Sequence, residues 1–145
     1  MSEQIDSEAV QRCANANIRR TNRMITQFYD AILAPSGLNG SQFGLLATLR
    51  EAAPITINNL AELIDMDRTT LTRNLDVLMK RHLILSRPGD DRRMRLVFVS
   101  QEGDQALQLT WPLWQEAQTS IEQAFGRERF EALLKELAAI RAVVR

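Results

Sequence analysis

The most regular apolar pattern of this chain predicts two short helices joined by a tight turn. The first helix, over residues 58–64, places apolar side chains three to four residues apart, and either Thr56 or Asn58 can cap its N-terminus. Residues 65–67 make the turn. The second helix, over residues 68–81, has apolar positions at i, i+4, i+7 and i+8, which form one stripe. Those positions are Leu71, Leu75, Leu78 and Met79.

The opposite face of the second helix is polar, and its single acidic residue is Asp76. Two helices joined by a turn of this length, the second with a polar leading edge, form a helix-turn-helix, whose second helix enters the major groove of DNA. Threonine and asparagine suit contacts to base edges and thymine methyl groups, and arginine can read guanine through two hydrogen bonds. The residues predicted to read the groove are Arg68, Thr69, Thr70, Thr72, Arg73 and Asn74.

Two short β-branched or apolar runs, residues 84–87 and 95–100, predict a hairpin after the second helix. The Pro-Gly-Asp sequence between them is typical of a turn, so residues 88–94 form a long tip. A hairpin with arginines at its end, after a helix-turn-helix, predicts a winged helix whose arginines enter the minor groove or clamp phosphates. Asp91 is expected to orient Arg93. The predicted wing contacts are Asp91, Arg92, Arg93 and Arg95, and the predicted phosphate contacts elsewhere are Thr56, Asn58 and Lys80.

Two further helices are predicted before this region. Residues 6–34 contain no Pro or Gly and predict one long first helix, which residues 35–37 end. A helix over residues 41–52 follows, and either Asn39 or Ser41 can cap it.

Two more helices are predicted after the hairpin. Ser100 caps a long helix with apolar residues along one side, and Pro112 is expected to kink it because proline lacks an N–H and its ring disturbs the preceding turn. Gly126 ends that helix, and residues 127–144 form the last one.

The fold class expected from these elements is mainly α with a small β-hairpin wing (α+β). The apolar stripes at the two ends of the chain are broader than a winged-helix core of about 60 residues can cover, which favours burial against a second copy. We therefore expect a helical dimerisation region, residues 1–37 and 101–145, around a DNA-binding lobe, residues 38–100.

Charge is distributed unevenly along a chain whose formal net charge is zero. The 145 residues include 18 Lys and Arg and 18 Asp and Glu. Residues 68–95 hold eight Lys or Arg against three Asp, so this segment carries about +5 and the rest about −5. Such asymmetry favours double-stranded DNA as the partner of the segment.

The composition, 45% hydrophobic and 25% charged, is that of a globular domain. No run approaches the roughly 20 apolar residues of a membrane span, and the first ten residues form no apolar signal segment, so we expect a cytoplasmic protein with no membrane partner. One Cys and one His allow no internal disulfide and no His/Cys metal site within one subunit. No Ser, His or Cys constellation for catalysis is visible, so we expect neither an enzyme nor a cofactor.

Three motifs of the chain resemble the MarR family of winged-helix regulators. Residues 38–46, LNGSQFGLL, resemble the family's second-helix signature, and Asp91-Arg92-Arg93 resembles its wing motif Asp-x-Arg. Ser100-Gln101-Glu102-Gly103 also fits the family. The resemblance extends from about Ile18 to the C-terminus and implies a dimeric DNA-binding transcriptional regulator. We expect a ligand-responsive repressor that binds a near-palindromic operator as a homodimer.

The resemblance also implies an effector pocket between the dimerisation helices and the DNA-binding lobe, in which family members receive small aromatic or phenolic acids. Arg20 and Arg23 on the first helix are candidates to pair with an anionic ligand, because a guanidinium matches a carboxylate. Candidates for aromatic walls are Trp114, Trp111 and Phe43.

Two alternatives stay open at the level of sequence. Cys13 resembles the cysteine of the family's peroxide-sensing branch, in which oxidation releases DNA. Tyr29 is the single tyrosine, however, and lies sixteen residues further along the predicted helix, roughly 24 Å away. The other alternative is a dimeric winged-helix module that binds a protein, which the basic wing argues against.

Overall fold

The computed structural model describes residues 4–145, which form seven helices and three short strands. The helices are α1 Ser7–Gln11, α2 Ala14–Leu33, α3 Gly40–Ala52, α4 Ile57–Leu63, α5 Arg68–Lys80, α6 Gln101–Phe125 and α7 Arg127–Val143. The strands are β1 Ile55–Thr56, β2 Ile84–Pro88 and β3 Arg95–Val99, and a 3-10 turn spans Ala34–Ser36. A mainly helical chain with a small sheet confirms the fold class predicted from the sequence.

The prediction of a single first helix over residues 6–34 is wrong, because the helix is interrupted between α1 and α2. Cys13 is extended there, with φ −61° and ψ 118°, and occupies the N-cap position of α2. The side-chain amide of Asn17 donates to the carbonyl oxygens of Gln11 and Cys13 at 2.8 and 2.9 Å. The bond to Gln11 O satisfies a carbonyl that a continuous helix would have bonded within its own backbone, whereas Cys13 O also accepts from the backbone N–H of Asn17 at 3.1 Å.

Side-chain caps fix where α3, α4 and α6 begin. Asn39 caps α3 in a reciprocal capping box with Gln42, which confirms one of the two predicted caps. Thr56 caps α4 through a hydrogen bond from the backbone N–H of Asn59 at 3.2 Å. Ser100 caps α6, as predicted. α6 continues through Pro112, and the kink expected there stays a prediction.

The sheet has three antiparallel strands where the sequence predicted a two-stranded hairpin. β3 is central, with β1 and β2 on either side. Ile55 pairs with Val97 in one ladder, and Ile84 pairs with Val99 in the other. β1 has only two residues, which is too short for an alternating pattern to be recognised, so its pairing with the wing could not be read from the sequence.

One apolar core joins the helix-turn-helix to the wing and to the long helices. Its largest fully buried members come from α2, α3, α4, α5 and the sheet, and α6 contacts both α2 and α3. These residues are Leu33, Leu46, Leu49, Leu60, Leu71, Leu75, Leu78, Ile84 and Val97. By contrast, α7 has no buried residue.

The corner between the wing and α6 is closely packed. The backbone N–H of Ser100 donates to Leu83 O at 3.1 Å, and its hydroxyl donates to His82 O at 2.5 Å. Gly103, in the first turn of α6, lies directly against the carbonyl of Leu83. A Cβ atom at Gly103 would lie 2.1 Å from Leu83 O and 2.7 Å from Val99 Cγ1. Because that space is already occupied, the corner requires glycine.

Tyr29 is expected to ionise at higher pH in the folded chain than in the unfolded one. Its hydroxyl donates to Gln118 Oε1 on α6 at 2.7 Å, and burial, followed by the charge of Glu122, raises its pKa. A raised folded-state pKa means that this contribution to stability is complete below about pH 10 and is lost as the pH rises through the folded-state pKa. Near-ultraviolet absorbance of this single tyrosine, titrated in folded and in denatured protein, measures the difference. Equal midpoints would contradict its burial against α6.

Two kinds of feature are absent from the part of the chain that the structure describes. No helix there is both long and apolar enough to cross a bilayer. No three His, Cys, Asp or Glu side chains there are grouped so that they could hold a metal ion.

Candidate nucleic-acid interface

The helix α5 buries one face and presents the other to solvent. Its apolar stripe lies in the core, and the residues predicted to read DNA are exposed or half-buried on the outer side. Two of them already have partners within the chain. The Thr70 hydroxyl donates to Asp67 Oδ1 at 2.6 Å, and Asn74 Nδ2 lies 3.7 Å from Met66 Sδ. Arg68, Thr69, Thr72 and Arg73 keep their polar groups available.

Asp67 fixes the N-terminus of α5. Its carboxylate accepts from the Thr70 hydroxyl and, at 2.9 Å, from the Thr70 backbone N–H. These two bonds, with the charge of Arg73, lower the pKa of Asp67, so the carboxylate stays ionised across the neutral range. The first turn of α5 is therefore held before any partner binds.

A basic cleft lies between the helix-turn-helix and the wing. Its volume is about 270 Å³, and it is formed by the start of α4, the first residue of α5 and the base of the wing tip. No acidic residue lines it. The lining residues are Thr56, Ile57, Asn58, Arg68, Arg93, Met94 and Arg95. Five residues predicted separately as DNA contacts, from three distant parts of the sequence, are thus brought together.

The wing tip is shaped by hydrogen bonds of its own. Asp91 Oδ1 accepts from the backbone N–H of Arg93 at 3.0 Å, which is the orienting contact expected of Asp91. Arg95 donates from Nη2 and Nε to Ser86 Oγ across the hairpin at 3.0 and 3.3 Å. Arg92 is exposed outside the cleft, and so is Lys80 at the far end of α5.

An aromatic cavity of about 640 Å³ lies between α3 and α6. Phe43 stacks on Trp114 with ring centroids 5.9 Å apart, and Trp114 stacks on Trp111 at 5.2 Å with ring planes 12° apart. The residues lining the aromatic cavity are Gly40, Phe43, Gly44, Ala47, Thr48, Arg50, Glu51, Leu107, Gln108, Trp111 and Trp114. All three predicted aromatic candidates are therefore present, whereas Arg20 and Arg23 are exposed on α2 and do not line it.

Comparison with known proteins identifies the family. A model of the MarR family matches residues 36–94, which span α3, the helix-turn-helix and most of the wing. The M. tuberculosis transcriptional regulator MosR, whose structure was solved in complex with DNA, is 35% identical. The match covers 90% of this chain and 98% of that one, with a TM-score of 0.77. This chain belongs to the MarR family.

Two further relatives are consistent with membership of the MarR family. The Bacillus subtilis protein named uncharacterized HTH-type transcriptional regulator YwoH is 29% identical over 87 residues, which are 60% of this chain and 64% of that protein. The matched region is therefore slightly under two thirds of the relative's length. A mutant MarR from E. coli, complexed with operator DNA, is 22% identical with a TM-score of 0.82 over 94% of this chain and 99% of that one, which shows the shared fold.

The polar lining of the aromatic cavity was not predicted from the sequence of this MarR-family chain. Arg50 and Glu51 follow Phe43 by seven and eight residues on α3, and Gln108 precedes Trp111 by three on α6. Helical spacing places such residues on the same face, so a search outward from the predicted aromatic residues could have found them.

Cys13 is exposed at the break between α1 and α2. Tyr29 belongs to the same helix, near its other end, and its hydroxyl faces Gln118. A redox role for Cys13 stays a prediction.

Proposed function

We propose that this MarR-family chain is a DNA-binding transcriptional regulator that acts as a homodimer in the cytoplasm. The observation that carries the proposal is the basic cleft, in which Arg68 of the helix-turn-helix meets Arg93 and Arg95 of the wing with no carboxylate among them. Guanidinium groups recognise phosphate through paired, charge-assisted hydrogen bonds. Three of them converging on one concave surface suit a polyanionic backbone better than an acidic protein surface of irregular shape.

In this proposal the helix α5 enters the major groove while the cleft holds the adjacent backbone. Thr69, Thr72 and Arg73 contact base edges, because their side chains lie on the outer side of α5, outside the basic cleft. Arg92 at the wing tip contacts the neighbouring minor groove or its phosphates. Thr70, Asn74 and Lys80 contact the DNA at the edge of this interface.

The proposed dimer is supported by apolar surface at the ends of the chain. All 17 residues of α7 lack full burial, although the helix carries a regular apolar stripe. A second copy that packs on this stripe and on α2 would bury both. The exposed apolar residues of the two helices are Ile18, Met24, Ile25, Phe28, Leu133, Leu134, Ile140 and Val143.

A two-fold dimer of this kind implies a near-palindromic operator with half-sites about one helical turn, roughly 10 base pairs, apart. Residues 1–37 and 101–145 then form the dimerisation region and residues 38–100 the DNA-binding lobe, with residues 1–3 of this division lying outside the part of the chain that the structure describes. The aromatic cavity has one wall in each, because α3 belongs to the lobe and α6 to the dimerisation region. A small aromatic molecule that favours one spacing of the two lobes would release the operator by population shift, which is the action of a ligand-responsive repressor.

Duplex binding and oligomeric state test the proposal together. Fluorescence anisotropy with a duplex from the chain's own upstream region, measured at several salt concentrations, should show tight binding that weakens steeply with salt. Analytical ultracentrifugation should show a dimer. A monomer, or a chain that ignores duplexes at low ionic strength, overturns the proposal, and the second result would favour a protein-binding module.

Arg73→Ala is expected to reduce discrimination between operator and random duplex more than it reduces binding itself. Arg73 lies on the exposed face of α5, outside the basic cleft, so its loss removes a base contact rather than a backbone contact. One lost bidentate contact in each half-site corresponds to about 1–3 kcal/mol of discrimination per site. Competition binding with operator variants substituted at single base pairs measures the effect. Equal losses on operator and random DNA would refute the assigned role.

A further inference from the structure

The charged residues that line the aromatic cavity, counted with their ion-pair partner, carry a net negative charge. Arg50 and Glu51 are the two charged residues that line it. The Nε atom of Arg50 lies 3.2 Å from Asp104 Oδ1, so its charge already has a carboxylate partner. Glu51 has no Lys or Arg within ion-pair distance in residues 4–145. One guanidinium and two carboxylates therefore give this group of residues a net charge of −1.

An aromatic acid fits this charge balance poorly. Its carboxylate would have to compete with Asp104 for Arg50 and would approach Glu51 on the neighbouring position of α3. The arginines that the sequence offered for an anionic ligand, Arg20 and Arg23, are not among the lining residues. A cation would instead meet the unpaired carboxylate of Glu51.

The aromatic rings of the cavity also favour a positively charged ligand. Trp111 and Trp114 are nearly parallel, and Trp111 is 49% exposed, so the pair can accept a planar ring at the open side of the stack. The face of an indole ring carries the negative part of its quadrupole and attracts cations, most strongly among the aromatic side chains.

We propose that the aromatic cavity binds a small planar aromatic cation, whose ring lies against the Trp111–Trp114 pair and whose charge is directed toward Glu51. The inference rests on the proposed function, since this cation is the effector that would release the operator. It differs in sign from the phenolic acids that the family resemblance implied. The cavity volume of about 640 Å³ is in the range of small-molecule sites.

Three ligands that share one ring system test the sign of the charge. Isothermal titration calorimetry of the full chain without DNA compares 2-naphthylmethylammonium, neutral 2-naphthol and 2-naphthoate at neutral pH. We expect the ammonium ligand to bind about tenfold more tightly than the carboxylate, with the naphthol between them. Tighter binding of 2-naphthoate, or equal binding of all three, overturns the proposal.

Charge-removing variants at adjacent positions should act in opposite directions. Glu51→Gln should weaken binding of the ammonium ligand about two- to fivefold and leave the affinity for naphthol unchanged. Arg50→Gln should raise the affinity for the ammonium ligand and lower the affinity for the carboxylate ligand. Glu116→Gln, an exposed carboxylate on α6 outside the cavity, is the matched control and should change none of them. An unchanged ammonium affinity in Glu51→Gln overturns the proposal, provided that circular dichroism shows the variant folded.

Operator release separates this inference from the proposed function. Saturating 2-naphthylmethylammonium should dissociate the duplex from the original chain and much less from Trp111→Leu, with a titration of the ligand into duplex alone as the control. A chain that binds the ammonium ligand and keeps its duplex overturns the effector role while leaving DNA binding intact. A chain that binds no duplex without ligand overturns the proposed function, and the calorimetric order still decides the ligand class.

Discussion

Replacing Arg93 with alanine is expected to weaken duplex binding about 100-fold near physiological salt, on operator and random sequences alike. Arg93 lines the basic cleft, has no side-chain hydrogen bond within residues 4–145, and is held in place through the bond from its backbone N–H to Asp91. A charge-assisted hydrogen bond contributes about 1.5–3 kcal/mol, and a dimer loses one such contact in each half-site. A total of about 3 kcal/mol corresponds to the expected 100-fold change.

The salt dependence distinguishes loss of a phosphate contact from loss of folding. Each phosphate neutralised contributes about −0.9 to the slope of log affinity against log salt, so Arg93→Ala in a dimer should flatten the slope by roughly 1.8. Arg127→Ala, at the start of α7 and far from the wing in the chain, removes the same charge and should leave the slope unchanged. A wild-type slope for Arg93→Ala, or an equal change in Arg127→Ala, would show that Arg93 does not contact the backbone.

Gly103→Ala is expected to lower the free energy of unfolding by about 3 kcal/mol. The added Cβ would meet the backbone carbonyl of Leu83 at 2.1 Å, and a backbone atom cannot turn aside as a flexible side chain can. Either α6 or the strand leading into the wing must then move, which also breaks the Ser100 cap. For a chain of this length the loss corresponds to a decrease in melting temperature of about 10 °C, measured by thermal circular dichroism.

Gly44→Ala is the matched control, because a Cβ at Gly44 has no other atom within 4 Å. Gly44 is inside α3, where alanine is favoured over glycine by about 0.5–1 kcal/mol, so this variant should melt at the same or a slightly higher temperature. If the two variants melted alike, the corner at Gly103 would have to be more open than the structure indicates.

The same corner is the junction between the two regions of the proposed regulator. Ser100 and Gly103 attach the first turn of α6 to the segment that follows α5, and Asp104 in the same turn contacts Arg50 of α3. Movement of α6 relative to α3 on ligand binding would therefore be passed to the wing and α5 through short, direct contacts.

The helix-turn-helix and the wing could be predicted because their determinants are local. The apolar stripe of α5, the N-caps at Asn39, Thr56 and Ser100, and the turn at the wing tip each depend on residues within a few positions of one another. Hydrophobic periodicity, helix capping and turn residues are properties of short segments, so they can be recognised without knowledge of the rest of the chain. The residues predicted to contact DNA followed from the same segments, and the basic cleft brings five of them together.

Other features of the structure arise from contacts between distant segments, which the periodicity of the sequence does not reveal. The pairing of β1 with β3 joins residues 40 and 42 positions apart, and the polar lining of the aromatic cavity is defined by which faces of α3 and α6 meet. The charge available to a ligand depends on the pairing of Arg50 with Asp104, 54 residues later. The sequence therefore identified the aromatic residues of the cavity. The cation that we propose differs in charge from the acids that the family resemblance implied, because the charge of a site depends on which ionic groups the fold brings within a few ångströms of one another.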